Sequence, residues 1–203
     1  MKMYIWEALM AFLFTLLALQ LWHSDATTLV PLAIGLAWFS VLSIRSMGSA
    51  PFGNPGYLVA ALLLDRVEDR REAPYRFVAM FGGSAFAVPF STFLLGCTHK
   101  MAVAMVHPDA FCAFFAEFLG CGLLTMVFLR TREQSPVVQG AVLAVLLYAF
   151  SGLSAGAFHP ALAFAYALCG RIPWGDFPFT LAANLFGAAA AATLEMGIRQ
   201  DLD

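Results

Sequence analysis

The chain has 203 residues, 61% hydrophobic and only 12% charged, with a formal net charge of −2. Ordinary soluble domains carry about 25% charged residues, so this composition excludes a water-soluble globule and points to one membrane-embedded domain spanning 1–203. The near-neutral balance supplies no bulk attraction to nucleic acid.

Charged residues cut the chain into apolar blocks, each long enough to cross a hydrocarbon core as a helix, which takes roughly 17–25 residues. The first covers residues 3–22. Only Lys2 precedes it and no small-residue cleavage site follows, so it reads as a span and not a secretory leader. It carries Glu7, and a carboxylate inside a membrane needs a partner. The second span covers 28–44. Then comes GNPGYLVAALLLDR, residues 53–66, where Asn54-Pro55-Gly56 reads as a turn running into an apolar piece. That piece, 54–64, gives roughly 16 Å of helix and cannot cross alone. DRVEDRREAPYR, 65–76, has mixed charge and reads as a solvated loop whose arginines can touch anionic lipid head groups.

The third span covers 77–96, the fourth 110–129 with Glu117, and the fifth 137–153. A second short apolar piece, 159–169, opens on His159-Pro160-Ala161, and the sixth span covers 177–198. Gly82, Gly83, Gly187 and the alanine run 188–192 read as small faces for close helix packing. Cys97, Cys112, Cys121 and Cys169 have neither metal nor disulfide spacing and read as small packing residues. His23, His99 and His107 are too scattered for a metal site.

The basic residues orient the spans. With the N-terminus on the cytosolic side, Lys2, Arg45, Arg66, Arg70, Arg71, Arg76, Arg130, Arg132 and Arg199 fall inside, and only Lys100 and Arg171 outside. Both termini are then cytosolic. The first short piece enters from the inside and the second from the outside, as re-entrant half-helices surrounded by protein. The halves also align. Glu7 answers Glu117, and SAPFGNPG (49–56) answers SAGAFHPA (154–161), with Ser five residues before Asn or His and Pro one after. Repeat one covers about 1–100 and repeat two about 108–203; three spans per repeat force the second to be inverted.

This ordered set resembles the aquaporin, or major intrinsic protein, family across nearly the whole chain. AEFLGCGLLTMVFL (116–129) is similar to the family's fourth span, and the two Ser-initiated segments to its pore loops. The resemblance implies an all-α membrane protein of six transmembrane helices plus two re-entrant half-helices in an inverted repeat. It implies that Asn54, Pro55, Gly56 and His159, Pro160, Ala161 meet at mid-membrane, and that Glu7 and Glu117 hold the pore loops. Pro at the first helical position suits an N–H with no intrahelical partner, and Asn is a good N-cap. The facing helix N-termini place partial positive charge at the centre, which opposes cations and protons.

The departures from the family pattern shape the functional expectation. Asn-Pro-Gly and His-Pro-Ala replace two Asn-Pro-Ala motifs. By offset, the family's outer constriction falls on Ile34, Leu147 or Tyr148, Gly156 and Leu162, with Leu162 where water-selective members carry Arg. His159 has two readings, a satisfied cap or a pore-lining donor. G-L-S-A-G at 152–156 fits a nucleophile motif, but it lies at a span-to-loop junction and not on a strand-to-helix elbow. The resemblance therefore implies a passive channel for water or small neutral solutes, not strictly water-selective, with no catalysis and no cofactor. Its partners would be membrane lipids and three further copies in a homotetramer. The alternative is a non-conducting structural subunit docked among other subunits of a membrane complex.

Overall fold

The computed structural model describes residues 3–23, 28–45, 52–95, 109–131 and 135–200. Lys2, Ser49, Ala50, Pro51, Cys97, His99, Lys100, His107 and Arg132 lie outside the described residues. The helices are α1 (Met3–Trp22), α2 (Val30–Arg45), α3 (Pro55–Leu63), α4 (Ala73–Leu94), α5 (Ala110–Thr131), α6 (Pro136–Phe150), α7 (Pro160–Leu168) and α8 (Phe177–Gln200), with a 3-10 turn Arg70–Glu72 before α4. No strand occurs among the described residues.

Four helices, α1, α4, α5 and α8, are long and apolar enough to cross a membrane. The other two expected spans are shorter: α2 has 16 residues and α6 has 15. The fifth block was expected to run to residue 153, but α6 ends at Phe150 and the chain turns at 151–153 to feed the second half-helix. Conversely, the third block begins earlier than expected, at Ala73, with Pro74 in its first turn where a missing N–H costs nothing.

α1 and α4 run side by side in the same direction. Thr15 Oγ1 donates to Ser84 Oγ (2.9 Å), and further along both helices Gln20 Nε2 donates to Ser91 Oγ (3.1 Å). Polar pairs of this kind tie helices together where no hydrophobic drive exists between them. α5 and α8 form the equivalent pair. In each, a glycine lets the backbones touch. A Cβ at Gly83 would collide with the Ala8 carbonyl oxygen, and one at Gly187 with that of Phe118. Gly82, expected to share this role, faces open space instead. α2 crosses α6 through Gly35 and Gly140, each of which would drive a Cβ into the other's carbonyl oxygen. Each half-helix packs on the last long helix of the opposite half, α3 on α8 and α7 on α4.

The periphery is apolar. Phe86, Phe93, Phe111, Phe179, Phe186 and Leu194 are all exposed, a density of bare aromatics suited to hydrocarbon and not to water. Of the described cysteines, Cys121 is buried as a packing residue, with its Sγ 3.1 Å from where a Cβ on Gly56 would stand, whereas Cys112 is exposed.

Candidate functional site

The two half-helices begin at the centre of the bundle, and their caps explain why. Asn54 has extended backbone (φ −135°, ψ 124°) and its Oδ1 accepts from Gly56 N at 2.8 Å. His159 is likewise extended (φ −155°, ψ 111°) and its Nδ1 accepts from Leu162 N at 3.2 Å. Each side chain thus satisfies one orphan amide of its own helix, the ordinary work of an N-cap. The preceding residue turns the chain sharply in both: Gly53 at φ +69° and Phe158 at φ +46°. Glycine takes this left-handed geometry at little cost, but phenylalanine does not. Phe158 is held there by packing, its ring lying on Gly120, where any Cβ would collide with it.

Two carboxylates hold the loops. Glu7 accepts from Phe52 N through Oε1 (2.9 Å) and from Gly53 N through Oε2 (2.8 Å). Glu117 accepts from Ala157 N (3.0 Å), Phe158 N (2.9 Å), Ser154 Oγ (2.9 Å) and Asn184 Nδ2 (2.9 Å). Both are buried. They differ in how the charge is met. Glu7 faces Arg76 Nη1 at 3.6 Å, while Glu117 is solvated by neutral donors. Arg76 was expected in a solvated loop; it is instead 8% exposed, pinned between Glu7 and Glu72. Its burial is tolerable because a partner carboxylate is already inside. Likewise Arg66 joins Arg130 and Arg199 around the buried Glu195, at 3.4, 2.8 and 2.9 Å, at one end of the bundle.

His159 has no ring nitrogen to spare. With Nδ1 accepting from an amide, Nε2 carries the proton and donates to Gly53 O at 2.8 Å, so the ring is the neutral tautomer. This bond also stitches one loop to the other. Ser154 Oγ is equally committed, donating to Glu117 and accepting from Gly156 N (3.0 Å), which leaves the nucleophile reading of 152–156 without an activated hydroxyl. Asn54 differs: its Nδ2 is buried with no hydrogen-bond partner, an open donor at the junction.

Around the junction stand aromatic rings that sequence offsets missed. Phe14 lies 4.6 Å from Trp38 and 5.6 Å from His159, and Trp38 meets His159 edge-on at 5.8 Å. Tyr57 stacks on Phe128 at 4.1 Å. Trp38 Nε1 is, like Asn54 Nδ2, buried without a partner. Of the expected constriction residues, Ile34, Leu147, Gly156 and Leu162 are all buried. Leu147 and Gly156 abut, since a Cβ on Gly156 would stand 2.9 Å from Leu147 Cδ2. Tyr148 points outward and donates to Thr28 O (2.7 Å), so of the two candidates on α6 the inward one is Leu147. No group of acidic, His and Cys residues able to hold a metal exists among the described residues.

Above Leu162, on the side of α7 away from the junction, sits Arg171. It is 7% exposed, its guanidinium lies 3.9 Å from the Trp22 ring and 5.0 Å from that of Tyr166, and Nη2 donates to Ala155 O at 3.5 Å. Trp22 Nε1 in turn donates to Tyr166 Oη (2.8 Å). Burial lowers the pKa of Arg171, opposed by Tyr166, Cys169 and Glu117, yet a guanidinium stays charged at any physiological pH.

Comparison with known proteins places this geometry. The chain is similar to Aquaporin NIP1-1 of Oryza sativa subsp. japonica, 29% identical over 129 residues, covering 62% of this chain and 41% of that protein. It is similar to Aquaporin-9 of Mus musculus, 36% identical over 93 residues, covering 43% of this chain and 32% of that protein. The matched region thus spans a third to two fifths of these relatives' own lengths. Its fold matches the aquaglyceroporin from Plasmodium falciparum with a TM-score of 0.80 at 19% identity, covering 94% of this chain and 93% of that one. No family model matches the chain.

Proposed function

Since the chain is a divergent relative of the aquaporins, a multi-pass helical protein with their fold, we propose that it is a passive channel for water and small neutral solutes. The observation that carries the reading is the head-to-head meeting of two capped half-helices with the open Nδ2 of Asn54 at their junction. A solute oxygen arriving there finds a donor that the protein itself leaves unused. The helix N-termini add partial positive charge, which disfavours cations. Ile34, Leu147, Gly156 and Leu162 form an apolar outer constriction that offers water few replacement hydrogen bonds, so the pathway discriminates weakly against less polar solutes. The channel works as a homotetramer in lipid with both termini cytosolic, the side on which nine of eleven basic residues fall.

One observation favours the second reading, a non-conducting subunit of a larger membrane assembly. Phe14, Trp38 and Tyr57 are each at most 1% exposed, and together they fill the space beside the junction. The test is stopped-flow light scattering on proteoliposomes under water and glycerol gradients. Wild-type flux above empty vesicles, lost in Asn54→Leu, supports the channel. Flux equal to empty vesicles from folded protein refutes it and leaves the subunit.

A further inference from the structure

Three helices deliver an arginine to one place. Arg130 is the last residue but one of α5, Arg199 the last but one of α8, and Arg66 follows the C-cap Leu64 of α3. All three lie against the carboxylate of Glu195, so three cations share one anion among the described residues. The Glu195 side chain is 4% exposed, whereas those of Arg66, Arg130 and Arg199 are 27%, 44% and 48% exposed. The carboxylate is therefore the floor of the cluster and the guanidiniums are its rim. The bonds to Glu195 use little of what the guanidiniums offer. Arg199 donates through Nε (2.9 Å), and Arg66 through Nη2 at the long distance of 3.4 Å. Arg130 Nε stands 2.8 Å from Oε2, yet Oε2 receives no aligned hydrogen bond, so that pairing is one of charge. Helix C-termini attract cations, which accounts for arginines at these ends. Among the described residues, however, neither Arg130 nor Arg199 caps a carbonyl as Arg70 caps Leu62 O (3.4 Å). Their planar Nη forks match the paired oxygens of a phosphate.

Apolar stripes lead to the same place. Leu123 is exposed about two turns before Arg130, on the same face of α5. Leu194 and Ile198 are exposed beside Glu195 and Arg199 on α8. A free anion has no use for bare leucines next to its site, but an amphiphile does. We propose that Arg66, Arg130 and Arg199 hold the phosphate of an anionic phospholipid in the leaflet at this end of the bundle. Its acyl chains lie along Leu123, Leu194 and Ile198. The bound phosphate ties the end of the first half-helix to α5 and α8, whether or not the chain conducts.

The test titrates purified protein in neutral detergent with phosphatidylglycerol, phosphatidylcholine or inorganic phosphate. Native mass spectrometry counts retained lipid, and the thermal midpoint is read alongside. Phosphatidylglycerol should be retained over phosphatidylcholine and should raise the midpoint, and inorganic phosphate should not. Arg130→Gln and Arg199→Gln should each cut phosphatidylglycerol retention roughly fivefold, the weight of one basic residue at a lipid surface, and leave phosphatidylcholine unchanged. Arg71→Gln, at an exposed arginine outside the cluster, is the control and should change neither. Equal retention of the two lipids by wild type overturns the proposal, as does an equal loss in Arg71→Gln. A midpoint raised as much by inorganic phosphate as by phosphatidylglycerol assigns the site to a free phosphate and overturns the lipid. If a glutamine variant does not fold, Arg130→Lys and Arg199→Lys decide. They keep the charge without the fork and should retain less phosphatidylglycerol than wild type; unchanged retention overturns the proposal.

Discussion

Replacing Glu117 with alanine strips four donors of their acceptor at once. The amides of Ala157 and Phe158, the Ser154 hydroxyl and the Asn184 amide all end on this carboxylate, at 2.9–3.0 Å. Four donors use the roughly four lone-pair sites of an ionised carboxylate, so none is redundant. The site is buried, and water cannot reach every donor left behind. Each unsatisfied buried donor costs about 1–3 kcal/mol. Ser154 can rotate to another acceptor and Asn184 Nδ2 keeps its bond to Thr180 O, so the two backbone amides dominate, giving about 2–6 kcal/mol. The loss falls on the segment that holds Phe158 at positive φ, so the second half-helix should come loose before the bundle unfolds. Thermal unfolding in detergent gives the global term, and hydrogen exchange at 155–163 gives the local one. Glu117→Gln should cost less, because one carbonyl oxygen still accepts. A Glu117→Ala protein within about 1 kcal/mol of wild type, with protected amides at 157 and 158, would refute the reasoning.

Adjacent glycines should respond with opposite signs. Gly83→Ala drives a methyl into the Ala8 carbonyl and should destabilise by about 1–3 kcal/mol, whereas Gly82→Ala meets open space and should stabilise the helix by up to about 1 kcal/mol; thermal midpoints of the two variants decide it. His159→Asn keeps a capping oxygen but loses the bond to Gly53, for about 1 kcal/mol, while His159→Phe keeps the ring shape, loses both bonds and should cost more. Glu195→Gln leaves three guanidiniums facing one another, so its thermal midpoint should fall at low salt and recover partly at high salt.

Much of the fold was legible because its signals are local. The span 3–22 is read directly from apolar length, and the half-helices from the pairing of a capping side chain with proline, so α3 and α7 start within a residue of expectation. Span ends were harder. Arg76 reads as a loop residue from its charge, and only the fold brings Glu7 beside it. Glu7 and Glu117 announce that they need partners, but not that one finds a cation and the other an asparagine on α8. Offsets from a motif place residues by helical phase, and a one-residue ambiguity between Leu147 and Tyr148 changes the face. The aromatic rings at the junction and the stack on Trp22 arise from residues far apart in the chain, with no spacing that marks them. Cys112, read as packing, is exposed because the apolar surface extends to the outside of the bundle.

The exchange of half-helices between the two halves has a consequence for biosynthesis. α3 docks on α8, which is the last described helix to leave the ribosome. At about 5–20 residues per second, the finished α3 waits on the order of ten seconds for its seat. During that interval the capped start of a helix too short to cross has only the smaller contacts with α4, α5 and α7, the Trp38 ring and the bonds to Glu7 to shelter it. A premature stop anywhere before α8 therefore strands the first loop, not only the missing segment. Such a truncated product should be recognised by membrane quality control even though every helix already made is intact.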